Sequence, residues 1–358
     1  MILTRTPFRF TLGGGGTDLP SYYSRFGGFI FAAAIDKYMF LQVNRPAVDD
    51  LVRVKYSTSE TVTHAREVKH PLARIALQKL GFEKAIEIAS IADIPASTGL
   101  GSSSSYLVGL LNALYTMKKD PKNARELAEI ACKIEIEDLK LPVGKQDSHL
   151  AAMGGLPVLE IDPNGSVRAR PAKIDLNVLD ELNRNTLLFF TGKTRQAETI
   201  LQEQDRSVRN SDVRVIDSLH RIKELGYQVL EALEGGEPDR FGLLMDEHWK
   251  TKQNLSPLIA SAHHLQVYEV AKKAGAMGGK ITGAGGGGFF VFYTAHHHQG
   301  LRKELEREGL RELRYRFDHG GSQVLVNLPG NGNRPVSAEH LAEATTWPKY
   351  KETLNYLE

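Results

Sequence analysis

Pro95-Ala96-Ser97-Thr98-Gly99-Leu100-Gly101-Ser102-Ser103-Ser104-Ser105 follows a run that reads as a β-strand and opens an apolar run, residues 103–117, that reads as a helix. Glycines let backbone approach a ligand closely, and the unpaired N–H groups at a helix start point outward beside the hydroxyls. Those are the parts of a phosphate cradle. A Gly/Ser loop that merely caps a helix would use the same residues. Upstream, residues 3–87 read mainly as strands: 29–34, 39–44, the alternation of Val52, Val54 and Tyr56 with Arg53, Lys55 and Ser57, and then Ile86 and Ile88. Residues 70–79 are the one helix predicted there. Downstream, 124–139 carries Leu127, Ile130, Ala131 and Ile134 on one stripe and predicts a helix covering the sheet.

A strand at 156–161, an Asp162-Pro163-Asn164-Gly165 turn and a proline-bearing stretch place a boundary near residue 180. Beyond it come a strand at 186–190, helices near 195–209, 213–233, 239–252 and 263–274, and strands at 288–293 and 323–328. The chain therefore reads as α+β in two domains, 1–180 and 181–358. Its 358 residues favour that number of domains.

Forty-five Lys and Arg against 43 Asp and Glu leave a net charge of +2, too even to suggest a nucleic-acid or membrane-surface protein by bulk electrostatics, which leaves a local basic site open. The single cysteine, Cys132, can form neither an intramolecular disulfide nor a thiolate metal site. The apolar stretch 29–35 is far too short to span a bilayer, and the opening residues lack a signal peptide's apolar core. A cytoplasmic protein acting on a small molecule is expected, with no nucleic acid and no membrane as partner.

Other glycine motifs fail on context. Gly192-Lys193-Thr194 has Leu187 where a Walker A loop needs its first glycine. Gly283-Ala284-Gly285-Gly286-Gly287-Gly288 fits G-x-G-x-x-G but leads into a strand instead of a helix, so a dinucleotide site is not indicated. Among the carboxylates, Glu135, Glu137, Asp138 and Asp147 stand where one could bind Mg²⁺ and another activate a hydroxyl, although each alone reads as a solvated charge. No histidine has zinc spacing.

Taken together, these strings resemble the GHMP kinases, the superfamily named for galactokinase, homoserine kinase, mevalonate kinase and phosphomevalonate kinase. Three anchors carry the resemblance in the expected order: Thr6-Pro7-Phe8-Arg9 running to Gly14-Gly15-Gly16-Thr17-Asp18, the loop above, and Lys280-Ile281-Thr282 leading into the third glycine run. Within the superfamily, Gly-Gly-Gly-Thr-Asp together with Gly144-Lys145-Gln146-Asp147 is similar to the sugar 1-kinases that act on D-glycero-D-manno-heptose 7-phosphate. Galactokinases place Glu-His where this chain has Gly15-Gly16, which implies more room at the distal end of the sugar. Ser104-Ser105 replace the usual Ala-Ala, which implies added hydroxyls near the nucleotide.

The resemblance implies a domain like that of ribosomal protein S5 followed by a ferredoxin-like domain, with the active site between them. It implies ATP phosphates on Pro95, Gly99, Leu100, Gly101, Ser102, Ser103 and Ser104, and Mg²⁺ on Ser103 and Glu135, with Glu137 as the alternative ligand. Asp147 would orient and deprotonate the anomeric hydroxyl, and Arg9 would pair with it and neutralise the transferring phosphoryl group. Asp18, Gly15, Gly16 and Thr17 would face the sugar, Gly285 and Gly286 would approach from the second domain, and Thr194 and Arg195 would take the substrate's own phosphate. The expected reaction is ATP-dependent phosphorylation of the heptose phosphate to the 1,7-bisphosphate. A fucose 1-kinase and a non-catalytic sugar sensor of the same fold are the rivals.

Overall fold

The first strand, β1 (Ile2–Gly13), pairs antiparallel along its whole length with β2 (Gly28–Asn44). The sequence predicts two strands in the β2 region, but one runs through. The polar pair Asp36-Lys37 is an insertion in the ladder, where the register shifts between Pro7 and Phe8, and not a break. The computed structural model describes residues 1–192 and 197–328.

β3 (Val52–Lys55), β4 (Ser59–Val62) and β5 (Ile86–Ala92) extend the sheet beyond β2. A hairpin of β6 (Pro157–Ile161) and β7 (Val167–Pro171) pairs with the start of β2. β7 escaped the sequence reading because only Val167 in it is buried, so its alternation is weak. Helices α1 (Pro20–Phe26), α2 (Pro71–Lys79), α3 (Ser102–Met117), α4 (Ala124–Cys132) and α5 (Gln146–Met153) accompany this sheet. α3 is apolar nearly all round, with Leu107, Leu110, Leu111 and Leu114 fully buried, which suits a central helix.

The predicted helix 124–139 is α-helical only to Cys132. Lys133–Asp138 is a π-helical turn, with the Leu139 N–H bonded to the carbonyl of Ile134. Such turns re-aim side chains, and this one carries Glu135.

After α6 (Leu176–Asn185), a second, antiparallel sheet is built from β8 (Thr186–Phe190), β9 (Gly278–Ile281), β10 (Phe289–Tyr293) and β11 (Arg311–Leu313), in the order β11-β8-β10-β9. It is accompanied by α7 (Ala197–Arg209), α8 (Val213–Glu234), α9 (Pro238–Gln253), α10 (Ala262–Lys273) and α11 (His298–Arg307). The last described strand, β12 (Gln323–Asn327), departs from the sequence reading. It returns to pair with β1 in the first sheet and closes that strand's free edge. α8 also reaches back, and Gly226 lies so close to Gly13 and Gly14 that a Cβ at Gly13 would come within 2.7 Å of the Gly226 Cα. A simple division at residue 180 therefore does not describe the packing. Among the described residues no helix is long and apolar enough to cross a membrane.

Candidate active site

A cavity of about 860 Å³ lies where the loop 95–105, the candidate phosphate loop, meets the glycine run that follows β9. Gly99 and Gly101 have φ of 77° and 82°, and Gly101 caps α3, so its first N–H groups open toward the cavity. Pro95, Gly99, Gly101, Ser102, Ser103 and Ser104 line it. Leu100 does not: its side chain is buried, and its carbonyl accepts from the Arg9 N–H at 3.0 Å, tying the loop to β1.

Arg9 and Asp147 meet in a bidentate pair, Nε to Oδ1 at 2.7 Å and Nη2 to Oδ2 at 2.6 Å, and Arg9 Nη1 donates to the Gly99 carbonyl at 2.9 Å. Arg9 is 4% exposed, while the Asp147 side chain is 26% exposed toward the cavity. Asp18 is beside them and nearly inaccessible, with Oδ2 accepting from the Gln146 N–H at 3.0 Å. Burial pushes its carboxyl up to about 6 against that hydrogen bond, with Asp147 raising it further. Gly144 is required here because a Cβ would overlap the Asp18 carboxylate.

Glu135 is buried at the cavity's side. It accepts from Ser104 Oγ at 3.0 Å and from Ser148 Oγ at 2.8 Å, and no cation pairs with it among the described residues. Burial pushes its carboxyl up to about 7 against those two hydroxyls. A buried carboxylate without a counter-charge, on a cavity that Ser103 also lines at the start of α3, is a donor set that suits a hard divalent cation. Glu137 is exposed and lines a separate groove with Tyr23 and Lys145, away from the cavity. The serines at 104 and 105 also differ from expectation. Ser105 donates to the Pro7 carbonyl, away from the cavity, while Ser104 is held on Glu135 at the cavity's side.

Gly283 and Gly288 bring the third glycine run against the phosphate loop. A Cβ at Gly283 would come within 2.8 Å of the Gly99 Cα, and one at Gly288 would strike the Thr98 carbonyl. Gly285 and Gly286 do not line the cavity, because they pack on Ile259, whose carbonyl accepts the Gly286 N–H. Gly15 and Gly16 do line it, yet the room they leave is shared with Gln204 of α7, whose Nε2 donates to the Gly16 carbonyl at 3.3 Å. Thr17 turns inward, its hydroxyl donating to the carbonyls of Gly14 and Phe29. Thr194 and Arg195 lie outside the described residues.

The sequence reading missed His248, Lys252 and Lys280, all on the cavity wall, and the stacked rings of His70 and Tyr106, 4.6 Å apart, beyond the phosphate loop. His248 and Lys252 are one helical turn apart on α9, a spacing that gives the only sequence signal for them.

Two family models match the chain: "GHMP kinases N terminal domain" over residues 66–155 and "GHMP kinases C terminal" over residues 229–310. A D-glycero-alpha-D-manno-heptose 7-phosphate kinase of Campylobacter jejuni is 28% identical over 79% of this chain and 86% of that protein. A bifunctional fucokinase/GDP-fucose pyrophosphorylase of Arabidopsis thaliana is 24% identical over 78% of this chain but only 28% of that protein. The crystal structure of a D-glycero-D-manno-heptose 1-phosphate kinase from Bacteriodes thetaiotaomicron superposes with a TM-score of 0.76. It covers 92% of this chain and all of its own, at 24% identity.

Proposed function

This chain belongs to the GHMP kinases and is a kinase acting on a sugar hydroxyl, and on that premise we propose that it uses ATP to phosphorylate the anomeric hydroxyl of D-glycero-D-manno-heptose 7-phosphate. The observation that carries this reading is the Arg9–Asp147 pair, which opens on the cavity between the start of α3 and Asp18. The heptose 7-phosphate kinase relative supports the choice of sugar.

ATP would lie with its base toward His70 and Tyr106 and its phosphates on the N–H groups of Gly101–Ser104. Asp147 would hold the anomeric hydroxyl in line and accept its proton as the new O–P bond forms and the bond to ADP breaks. Arg9 would offset the charge that spreads over the transferring group, so the chemistry asks for positioning more than covalent help. Asp18 would hydrogen-bond sugar hydroxyls. Mg²⁺, held by Ser103 and Glu135, would neutralise charge on the phosphoryl oxygens.

Glu135→Gln is expected to raise the Mg²⁺ concentration for half-maximal rate by about tenfold or more, since changing even the groups that hold a metal ligand costs about 10–100-fold. The amide can still bond both serines, so the fold should survive. Glu137→Gln should leave the titration unchanged, and impairment of that variant alone would transfer the role to it.

The substrate is tested by coupled ADP release over a panel of sugars. Heptose 7-phosphate should be turned over far more efficiently than free heptose, because a charge-assisted hydrogen bond to phosphate is worth about 1.5–3 kcal/mol, or more than tenfold. Equal efficiency with free heptose would remove the phosphate requirement. Faster turnover of fucose would replace the heptose reading.

A further inference from the structure

The second half of the chain supplies a wall of the cavity that bears three basic groups and no acid. Lys252 Nζ donates to the carbonyls of Ile281 at 3.0 Å and Gly283 at 2.6 Å. Lys280 Nζ donates to the Leu12 carbonyl at 2.8 Å and to His248 Nδ1 at 3.0 Å. His248 is thus an acceptor and stays neutral, with burial and the two lysines holding it well below its ordinary value. Neither ammonium has a carboxylate partner among the described residues.

An ammonium carries three donors, and each lysine gives two of them to protein. Both lysines line the cavity, and among the described residues neither has a protein acceptor for its third N–H. Lys280 is 3% exposed, and Lys252, though deep in the molecule, keeps surface on the cavity wall. Burial, with Arg9 adding to it, pushes Lys252 down to about 7, and burial beside Lys252 pushes Lys280 well below its ordinary value, so neither ammonium finds a counter-charge in the protein that would favour its charged form. An oxyanion there would supply both the missing acceptor and the missing charge.

The position of Lys252 selects which oxyanion. Its acceptor Gly283 packs on Gly99, and the Gly99 carbonyl receives Arg9 Nη1. Lys252 and Arg9 are therefore linked by one backbone contact across the seam between the two halves, beside the loop that would hold the ATP phosphates. We propose that Lys252 is a catalytic residue that binds the oxygens of the phosphoryl group in transfer, with Lys280 and His248 as positioning residues behind it. This rests on the cavity being the phosphoryl-transfer site, not on which sugar occupies it.

Lys252→Met keeps the apolar stem and removes the charge. With whichever sugar the wild type phosphorylates, kcat should fall about 100-fold or more while the KM for the sugar changes less than threefold. That pattern marks an interaction made mainly in the transition state. Inorganic pyrophosphate, a probe that needs no sugar, should raise the melting temperature of the wild type and raise that of the variant clearly less. Lys280→Met should weaken both readouts to a smaller degree. A folded Lys252→Met protein with kcat within threefold of wild type, or with its whole loss in KM for the sugar phosphate, would overturn the proposal. So would an undiminished response to pyrophosphate. If the methionine variant does not fold, Lys252→Gln, which keeps an NH₂ donor group without the charge, is read by the same measures. Failure of the wild type to use heptose 7-phosphate while using another sugar would refute the substrate reading alone.

Discussion

Asp147→Asn is expected to lower turnover by about two to four orders of magnitude, the range for loss of a positioned general base. Both Asp147 oxygens are occupied by Arg9 in the resting site, so the carboxylate's first task is to hold position. A phosphoryl transfer whose transition state resembles metaphosphate needs little proton abstraction before the bond to ADP has stretched. If positioning dominates, the loss falls near the lower end of the range. The KM for ATP should move little, because the phosphate loop is formed by other residues.

The same substitution has a cost in stability that a purely catalytic account omits. An amide can accept from Arg9 Nε, but its NH₂ then faces Nη2, donor against donor. Removing one partner of a fully buried ion pair costs about 3–5 kcal/mol. Here Asp147 is 26% exposed, and Arg9 keeps the Gly99 carbonyl, so the cost should be well below that figure. A thermal melt beside single-turnover kinetics separates the two effects. A folded variant with near-normal turnover would remove Asp147 from the mechanism.

The phosphate loop was legible because its requirements are local. Positive φ at Gly99 and Gly101 demands glycine, and a helix start demands small polar residues, so the residue string carries the geometry with it. Arg9, Asp18 and Asp147 were legible only through the order of their motifs, since nothing in one segment says that it meets another more than a hundred residues away. β12 illustrates the limit: its pairing with β1 joins residues 323–327 to residues 2–5, and neither strand's pattern names its partner. The π-turn at Glu135 is a change of hydrogen-bond register within a continuous helical pattern. Ser105 looked like an added hydroxyl for a nucleotide because the sequence does not show which way each residue of the first turn of α3 faces. His248 and Lys252 were hidden for a related reason. On a surface helix two basic residues one turn apart read as a solvated face, and only the approach of β9 turns them into a wall of the site.

Asp18→Asn should make the protein more stable and a much poorer enzyme. In the folded state burial raises the Asp18 carboxyl from 3.8 to about 6, roughly two pH units, each worth 1.36 kcal/mol, so the ionised form costs the native state about 3 kcal/mol at neutral pH. The sign follows from proton counting. Between about pH 4 and 6 the folded protein binds more protons at this site than the unfolded chain, so this residue's contribution to stability falls as pH rises through that window and then levels off. Asparagine has no charge to bury, and its Oδ1 can still accept from the Gln146 N–H. The variant's advantage in melting temperature should therefore open between pH 4 and 6 and stay constant above it. A difference that is flat with pH, or a variant that melts lower at pH 7.5, would refute the argument. In the proposed role the penalty has a use, because an ionised acceptor binds sugar hydroxyls more strongly than an amide does. Losing one hydrogen bond to a charged group, at about 1.5–3 kcal/mol, should reduce kcat/KM about 10–150-fold. A buried carboxylate that destabilises its own fold, beside a paired Asp147 that does not share its burial, is what an acceptor made for a ligand looks like; a residue kept only for structure would have been replaced by its amide at no loss.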